Sequence, residues 1–435
     1  MNPANILRQL SSSTVEGRLF WASVLLLFAE IFAIRWLGIE VSVIRTFPNL
    51  VLLVVLVGAS AGLGNPEKLK SPAWVILAAC AVLILGLIFA VPLGLSTLSM
   101  RVDQSESLIK IGMALVVLMS TVLSLVLVSI NIGCAMGREF AQLPALRGYA
   151  INLLGSIFGV IIFGLIAWLN LPPPVCLFVL GLFTWLLSKR RLVIGATVLF
   201  VALSLLTTMQ SRWSPYSKLD VISMPQAAGT ILGAGNYVLN SNNYYFHFAV
   251  RILKMDKAQE ALFKKETENS PQLATVDHYY TWLKLPFQFA PQHNRVLVLG
   301  GGSGNDVAFA LKNGAQSVDV VEIDPVIATF GKSLHPDKPY IDPKTSLHVE
   351  DARSFLRYSK DKYDLIEFAY LDPGATLNTA SFIRVDNFVY TVESIKSALS
   401  HLDANGLGTI SFATGPQKAV TWRLYQIIAA AQGKP

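Results

Sequence analysis

The stretch Arg295-Val-Leu-Val-Leu299, followed directly by Gly300-Gly-Gly-Ser-Gly304, decides the fold of the second half of the chain. A short, nearly continuous apolar run is typical of a parallel strand that is buried on both faces. Glycines after such a strand allow the positive φ of a tight turn and leave room for a ligand beside the backbone. A helical pattern follows over 306–313, so the sequence predicts strand, glycine turn and helix in that order.

Acidic residues follow this unit at the ends of further strand-like runs. A second strand is predicted over 318–323 and contains Glu322, whose carboxylate is placed to accept the ribose hydroxyls of a nucleoside. Asp351 and Ala352 follow a third strand, and a fourth strand over 363–368 leads to Asp372. A helix beginning near 391 and a fifth strand over 408–412 complete the pattern. We therefore predict a doubly wound, Rossmann-like α/β domain that binds its ligand at the carboxyl ends of these strands.

The spacing of the glycines indicates the class of nucleotide. Dinucleotide folds favour G-x-G-x-x-G, which seats a pyrophosphate, but the sixth position counted from Gly300 is Asn305. The spacing here is G-x-G-x-G, which suits a ligand without phosphates, such as S-adenosylmethionine. The predicted cofactor-binding residues are Gly300, Gly302, Ser303, Gly304, Glu322, Asp351 and Ala352.

These segments resemble the catalytic domain of spermidine synthases, the polyamine aminopropyltransferases, which share their fold with S-adenosylmethionine-dependent methyltransferases. The resemblance rests on residues 296–305, 320–325, 349–356, 362–373 and 388–412. Val298 favours this branch, because typical methyltransferases carry an acid there. The resemblance implies a transferase that binds S-adenosylmethionine or its decarboxylated form, without a metal, and passes a methyl or aminopropyl group to an amine or membrane-associated acceptor.

Several positions depart from the family pattern. The fourth strand of the family ends in D-S-S-D-P, whereas this chain has Ala369-Tyr-Leu-Asp372-Pro. The first aspartate, which the resemblance implies is the catalytic base, is therefore replaced by alanine. Ser303 and Asn305 replace the aspartate and the last glycine of the family's G-G-G-D-G-G loop. Asp372 remains for contact with the substrate amine, and Tyr390 and Asp277 are further acid–base candidates. Glu367, Tyr370 and His278 are alternatives to them.

Composition separates the first half of the chain from the second. Of the 435 residues 53% are hydrophobic and 14% charged, which does not fit an ordinary soluble protein. The first 209 residues contain 13 Lys and Arg and 7 Asp and Glu, whereas the remaining 226 contain 22 and 21. The second half is therefore nearly neutral, and this argues against a nucleic-acid partner. No serine triad, metal-ligand spacing or Walker loop is present in the sequence.

The apolar half predicts a transmembrane bundle of about seven helices. They cover 19–37, 49–63, 73–95, 108–135, 149–169, 174–187 and 192–209, of which the second and sixth are short for a crossing. We predict a transmembrane bundle over 1–209, a β-rich lead-in and helical linker over 210–290, and the nucleoside-binding domain over 291–435. The lead-in contains strand-like runs at 218–222 and 237–240 and a helix at 256–268.

The charges of the loops predict a multi-pass membrane protein with its N-terminus in the cytoplasm. The resemblance to bacterial proteins that join membrane helices to such a domain implies the bacterial inner membrane. Nine of the thirteen basic residues of the first half then lie on the inner side. Seven crossings would place the second half outside, where a cytosolic cofactor would not reach it. Either one short segment does not cross, or the second half lies outside the cytoplasm; the supply of the cofactor favours the cytoplasmic side. Gly155 and Gly159 form a small-xxx-small pair for helix packing.

Two alternatives come from other functional classes. Ala369, together with an apparent end of the sheet after the fifth strand and a last helix over 418–431, favours a non-catalytic nucleoside sensor or assembly module. An open sheet edge there would pair with a second copy or another partner. Glu30 and Arg35, charged residues inside the first apolar segment, favour instead a transporter that the domain regulates.

Overall fold

The computed structural model describes residues 13–41, 44, 48–90, 108–225, 230, 232–252, 257–268, 270–369, 371, 389–411 and 418–433. The chain divides into two compact units. The first comprises Met1–Leu219 with Asn242–Tyr244, and the second comprises Asp220–Ser241 with Tyr245–Pro435. The divisions between them fall after Leu219, Ser241 and Tyr244, and the first and third of these lie within strands of the lead-in.

The first unit is helical and apolar, as predicted. Its helices in the described part of the chain are α1 (Val15–Glu40), α2 (Pro48–Gly64), α3 (Ala73–Ala90), α4 (Leu108–Phe140), α5 (Ala145–Trp168), α6 (Pro173–Ser188) and α7 (Arg191–Thr208). Helices α1, α5 and α7 and the Leu115–Phe140 part of α4 are long and apolar enough to cross a membrane. The apolar stretches Asn49–Gly64, Ala73–Ile88 and Pro173–Ser188 are shorter. The predicted part of the third segment beyond Ala90 lies outside the described residues.

Glycines set the closest helix contacts of this unit. A Cβ on Gly155 of α5 would lie 2.6 Å from the carbonyl oxygen of Phe20 on α1, and one on Gly159 would lie 2.8 Å from that of Val24. The predicted packing role of this pair is confirmed. Helices α2 and α4 approach in the same way, because Gly62 lies against the backbone of α4 at Ile130.

An ion pair is buried in the first unit, where α1 ends. Nζ of Lys218 lies 3.0 Å from Oε1 of Glu40, and these side chains are 5% and 2% exposed. Asn243 donates from Nδ2 to Oε2 of Glu40 at 3.0 Å and accepts at Oδ1 from Lys218 at 3.1 Å. Both charges are therefore matched by hydrogen bonds, which a buried pair requires.

The lead-in is a four-stranded sheet in the order β1 (Arg212–Trp213), β2 (Lys218–Ser223), β3 (Tyr237–Ser241), β4 (Tyr244–Ala249). The predicted β character is confirmed. Two helices follow, α8 (Lys257–Glu268) and α9 (Pro271–Phe289). The sequence analysis missed α9, although it carries start signals: Ser270 caps its N-terminus by accepting from Leu273 N, and Pro271 occupies the first turn.

The second unit contains the predicted parallel sheet. Its strands are β5 (Arg295–Leu299), β6 (Ser317–Val321), β7 (Thr345–His348), β8 (Tyr363–Phe368) and β9 (Leu402–Ile410), in the order β7-β6-β5-β8-β9. The helices between and after them are α10 (Asn305–Lys312), α11 (Pro325–Ser333), α12 (Ala352–Tyr358), α13 (Val392–Ser400) and α14 (Lys418–Ala431). Strand β5 lies at the centre with four fully buried residues, as its apolar run predicted.

Strand β9 begins six residues before the predicted start at 408. The polar run that contains Asn405 and Gly406 reads as a turn, but in the structure it belongs to the strand. The pairing with β8 shifts register there, because Tyr363 is opposite Leu402 whereas Leu365 is opposite Leu407. The extra residues of this irregularity explain why the turn-like composition did not end the strand.

Candidate functional site

The glycine loop has the backbone conformation that the sequence predicted. Gly300, Gly302 and Gly304 have φ values of 80°, 55° and 107°, which other residues rarely adopt. The amides of Gly300 and Gly301 both donate to the carbonyl oxygen of Val321 at the end of β6, at 2.8 and 3.1 Å. The loop is thus held at the carboxyl edge of the sheet and leads into α10.

Glu322 lies directly beside this loop. Its Oε2 accepts from the amide of Gly302 at 2.7 Å, and its Oε1 accepts from the amide of Asp324 at 2.9 Å. The side chain is only 6% exposed, and burial raises the pKa of this carboxyl to about 7. Each carboxylate oxygen keeps a lone pair beyond these bonds, so ribose hydroxyls can still be accepted there.

Side chains from three segments lie against the glycine loop. The ring of His247 lies 3.4 Å from the position of a Cβ on Gly302, and its Nε2 is hydrogen-bonded to the Ser303 hydroxyl. Tyr340 donates from its hydroxyl to the carbonyl oxygen of Gly302 at 2.8 Å. The side chain of Leu371 occupies the space where Gly300 would carry a Cβ. These residues form the walls of any ligand site on the loop.

Burial keeps the imidazole of His247 neutral. It lowers the pKa of His247 to about 3, and the neighbouring His335 acts in the same direction. A neutral imidazole can accept or donate a hydrogen bond without attracting an anion. Together with Ser303 it gives the loop a neutral polar wall at the position where the related family carries an aspartate.

Two carboxyl groups lie on the α10 side of the sheet. Glu367 of β8 is opposite Val298 of β5 in the parallel register and is 4% exposed. Its Oε2 has no hydrogen-bond partner among the described residues. Burial, and then the charge of Asp306 on α10, raise its pKa well above the ordinary value. Burial also raises the pKa of Asp306, to about 6.

Ala369 follows two residues after Glu367 and is 6% exposed in the same apolar cluster as Val298 and Leu365. Its amide donates to the carbonyl oxygen of Leu299 at 2.9 Å, so it continues the β8 ladder. The alanine that replaces the expected base therefore lies inside the core, and the nearest carboxyl along this strand face is Glu367.

The other predicted residues lie as follows. Asp351 caps α12 by accepting from the amide of Ser354 at 3.0 Å, and Ala352, 7% exposed, is the first helical residue. Asp277 lies in α9, and Tyr390 has its ring 6.4 Å from that of Phe368 at the end of β8. Asp372 and Tyr370 lie outside the described residues. The structure thus brings Gly302 and Glu322 into contact and places Asp351 after β7, the strand next to β6.

The sequence analysis missed three polar residues around the loop. His247, His335 and Tyr340 come from segments 30 to 56 residues away from the residues of 302–305 that they contact. Single histidines and tyrosines outside a motif give no signal of their own, and only the fold brings them together. Asn305 was noticed as a departure, but its structural role was not.

The sheet order, the glycine turn and the acid after β6 define an α/β domain of the spermidine synthase and methyltransferase fold. Residues 281–407 match the family model for the spermine/spermidine synthase domain. The C-terminal region of the chain is therefore similar to the spermine/spermidine synthase domain, and the predicted resemblance and fold class are confirmed.

Known proteins similar to this chain align with its C-terminal region. Polyamine aminopropyltransferase 2 of Aquifex aeolicus (strain VF5) is 26% identical over 144 residues, which cover 31% of this chain and 28% of the relative. Spermidine synthase 1 of Datura stramonium is 31% identical over 93 residues, 20% of this chain and 30% of the relative. The chain thus spans less than a third of the length of these two relatives.

Two solved structures are also similar to this chain. The spermidine synthase from Thermotoga maritima is 16% identical, with a TM-score of 0.35, and the alignment covers 51% of this chain and 62% of that one. A TehB-like SAM-dependent methyltransferase from Corynebacterium glutamicum ATCC 13032 is 20% identical, with a TM-score of 0.28, and 40% and 83% of the two chains are covered.

Proposed function

We propose that the protein is a membrane-bound, spermidine synthase-like transferase. It binds S-adenosylmethionine or its decarboxylated form and transfers a methyl or aminopropyl group to an amine or a membrane-associated acceptor. The observation that carries this proposal is the contact between the Gly302 amide and Glu322, which places a carboxylate beside the glycine loop at the carboxyl edge of the sheet.

The residues present fit such a cofactor. The loop offers backbone without Cβ atoms, and Glu322 keeps acceptor capacity for the ribose hydroxyls. Asp351 follows the neighbouring strand and would face the adenine. When bound, the cofactor supplies an electrophilic carbon next to a sulfonium. His247 and Leu371 would line the bound ligand, because both side chains already lie on the loop.

The protein's own groups must bind the acceptor amine and take its proton. Asp372 would bind the amine, and Tyr390 and Asp277 are the acid–base candidates. Burial, and then the charge of Asp306, disfavour the charged form of Glu367 and raise its pKa well above the ordinary value. The side chain of Ala369 cannot take a proton, so the proposed chemistry needs an acid–base group from elsewhere.

Calorimetric titration of the full chain in detergent tests the binding step. The ligands are S-adenosylmethionine, decarboxylated S-adenosylmethionine and methylthioadenosine. We expect at least one of them to bind, and Asp351→Asn to weaken this binding while Asp403→Asn, which changes an exposed residue, leaves it unchanged. The proposal fails if none of the three nucleosides binds to the folded protein.

A non-catalytic nucleoside-binding module is the second candidate. Ala369 supports it, because an alanine at the position of the expected base offers no group that could take a proton. Turnover separates the two candidates: release of methylthioadenosine or S-adenosylhomocysteine with an amine acceptor, lost in Asp372→Asn, requires the transferase. Binding without turnover for a panel of polyamine acceptors identifies the module.

The cytoplasmic supply of the nucleoside favours an even number of crossings. We propose that one of the shorter apolar stretches, Asn49–Gly64, Ala73–Ile88 or Pro173–Ser188, does not span the bilayer. Reporter fusions after Gln210 and after Pro435 test this proposal. Cytoplasmic reporter activity at both positions is expected, and activity on the outer side at both would overturn it.

A further inference from the structure

A small cavity lies inside the first unit, between α1, α5 and the start of α6. Its free space has room for about one water-sized group. The part of an occupant that fits is therefore a single oxygen-sized group of an ion or of a larger molecule. The lining residues are Phe32, Arg35, Trp36, Phe163, Leu171, Pro173, Cys176 and Trp213.

Two indole groups of this lining lack acceptors. Trp36 and Trp213 are 3% and 5% exposed. Nε1 of each is buried without a hydrogen-bond partner within the part of the chain that the structure describes. An indole N–H is a donor only, and leaving a buried donor unpaired costs free energy. Two such donors on one cavity indicate an acceptor that belongs there.

A fixed positive charge lines the same cavity. The guanidinium carbon of Arg35 lies 5.9 Å from the ring centres of both Phe163 and Trp213, and the group donates to the carbonyl oxygen of Ser214. The lining residues include no aspartate or glutamate. Aromatic walls exclude water, and this strengthens the attraction between the guanidinium and an anion. The cavity is therefore lined by a guanidinium and by two tryptophans whose indole N–H groups have no acceptor among the described residues.

The position along α1 is consistent with an interfacial site. Arg35 is five residues before Glu40, the last residue of α1, which places it about 8 Å from the helix end. Arginine and tryptophan at this depth of a membrane helix lie near the level of the lipid headgroups. We propose that this cavity binds an anionic oxygen of a phosphate or carboxylate group. The proposal is independent of the transferase activity.

Fluorine NMR of the full chain, labelled with 5-fluorotryptophan and kept in the phosphate-free detergent dodecyl maltoside, tests this site. Trp36→Phe and Trp213→Phe assign the two resonances, and the exposed Trp168 is the internal control. The probes are inorganic phosphate, acetate and dihexanoylphosphatidylglycerol. We expect the Trp36 and Trp213 resonances to move together and to saturate while Trp168 stays in place. A response to phosphate or acetate identifies a free anion, and a response only to the lipid identifies a headgroup.

Arg35→Gln should weaken the binding by roughly tenfold or more, because it removes a charge-assisted donor. Arg35→Lys should weaken it less, and Arg191→Gln, at an exposed position outside the cavity, should not change it. The proposal is overturned if no probe moves either resonance, or if Arg35→Gln leaves the titration unchanged. Should Arg35→Gln fail to fold, a weaker titration of Trp213 in Trp36→Phe supports the site and an unchanged one contradicts it.

Discussion

His335 donates a hydrogen bond from Nε2 to Oδ1 of Asn305, with the two atoms 3.0 Å apart. The direction of this bond is fixed, because Nδ1 of the same ring accepts from the amide of Asp337 at 3.1 Å and so carries no proton. The Asn305 oxygen also accepts from the amide of Val250 at 3.2 Å, and its Nδ2 donates to the Phe248 carbonyl. The asparagine thus ties the glycine loop to the end of β4.

Replacing Asn305 with glycine, the residue of the related family, should destabilise the second unit by about 2 to 4 kcal/mol. The change leaves the Val250 amide and the His335 ring without their acceptor, and both are buried. Hydrogen exchange of peptides from 295–313 in the full chain measures the effect. Asn313→Ala, which removes a less buried amide bonded to Phe309, is the matched control. Equal exchange in the two variants would contradict the assigned role.

Glu322 makes the stability of the second unit depend on pH. Its pKa of about 7 in the folded protein exceeds the ordinary value of 4.5, so the folded state binds more protons between these values. Stability therefore falls as pH rises from about 4.5 to about 7, by about 2 to 3 kcal/mol.

Glu322→Gln should remove this dependence on pH. It should be less stable than the wild type at low pH, because one of the two amides bonded to Glu322 would face an NH₂ group. Glu350→Gln, at an exposed position, should keep this dependence. Hydrogen exchange of the second unit at a series of pH values measures this dependence. If the stability of Glu322→Gln still falls between about pH 4.5 and about pH 7, Glu322 is not its cause.

His335 makes the stability of the second unit fall as pH decreases, which is opposite to the effect of Glu322. Burial is the largest cause of the fall of its pKa to about 3, from an ordinary value of 6.5. Between about pH 3 and pH 6.5 the unfolded chain therefore binds more protons than the folded protein. The stabilisation is complete above pH 6.5 and is lost as pH falls towards 3, by about 2 to 3 kcal/mol near pH 4.5. His335→Gln keeps a donor and an acceptor but does not titrate.

Compared with this variant, the wild type should lose more stability between about pH 7.5 and about pH 4.5. Urea unfolding followed by exchange of the second unit measures the difference. His293→Gln, which changes a half-buried ring bonded to the Asn313 carbonyl, should behave as the wild type does. Parallel pH curves for wild type and His335→Gln would show that this histidine is not the source of acid sensitivity.

The buried pair of Glu40 and Lys218 should show strong coupling. Glu40→Gln or Lys218→Met alone leaves a buried charge unmatched and should destabilise the first unit by about 3 to 5 kcal/mol. The double variant removes both charges and should cost clearly less than the sum of the two. Thermal unfolding in detergent gives the double-mutant cycle. The exposed pair of Arg295 and Asp361, 3.2 Å apart, should give less than about 1 kcal/mol in the same cycle. Additive effects at Glu40 and Lys218 would contradict the coupling.

The sequence predicted those parts of the fold that depend on local patterns. Strand β5, the glycine turn and α14 match their predicted ranges because apolar runs, glycines and helical periodicity are read within a few residues. The start of β9 was missed because Asn405 and Gly406 resemble a turn, whereas in the structure they lie inside the strand where its pairing with β8 shifts register. Glu322 was found because an acid after the second strand is a local signal. The network of Asn305 was not, because its partners lie 26 to 57 residues away.

The glycine contact between α2 and α4 has a consequence for how the bundle is made. A contact of backbone against backbone, such as that of Gly62 at Ile130, leaves no space for a lipid chain between the two helices. Helix α2, with 17 residues, is about 26 Å long and is the shorter partner beside the 33-residue α4. The close contact of α2 with α4 can form only after both helices have been synthesised, whereas Val51 and Val55 of α2 share an apolar cluster with the earlier helix α1. A larger side chain at Gly62 would meet the α4 backbone and push the two helices apart.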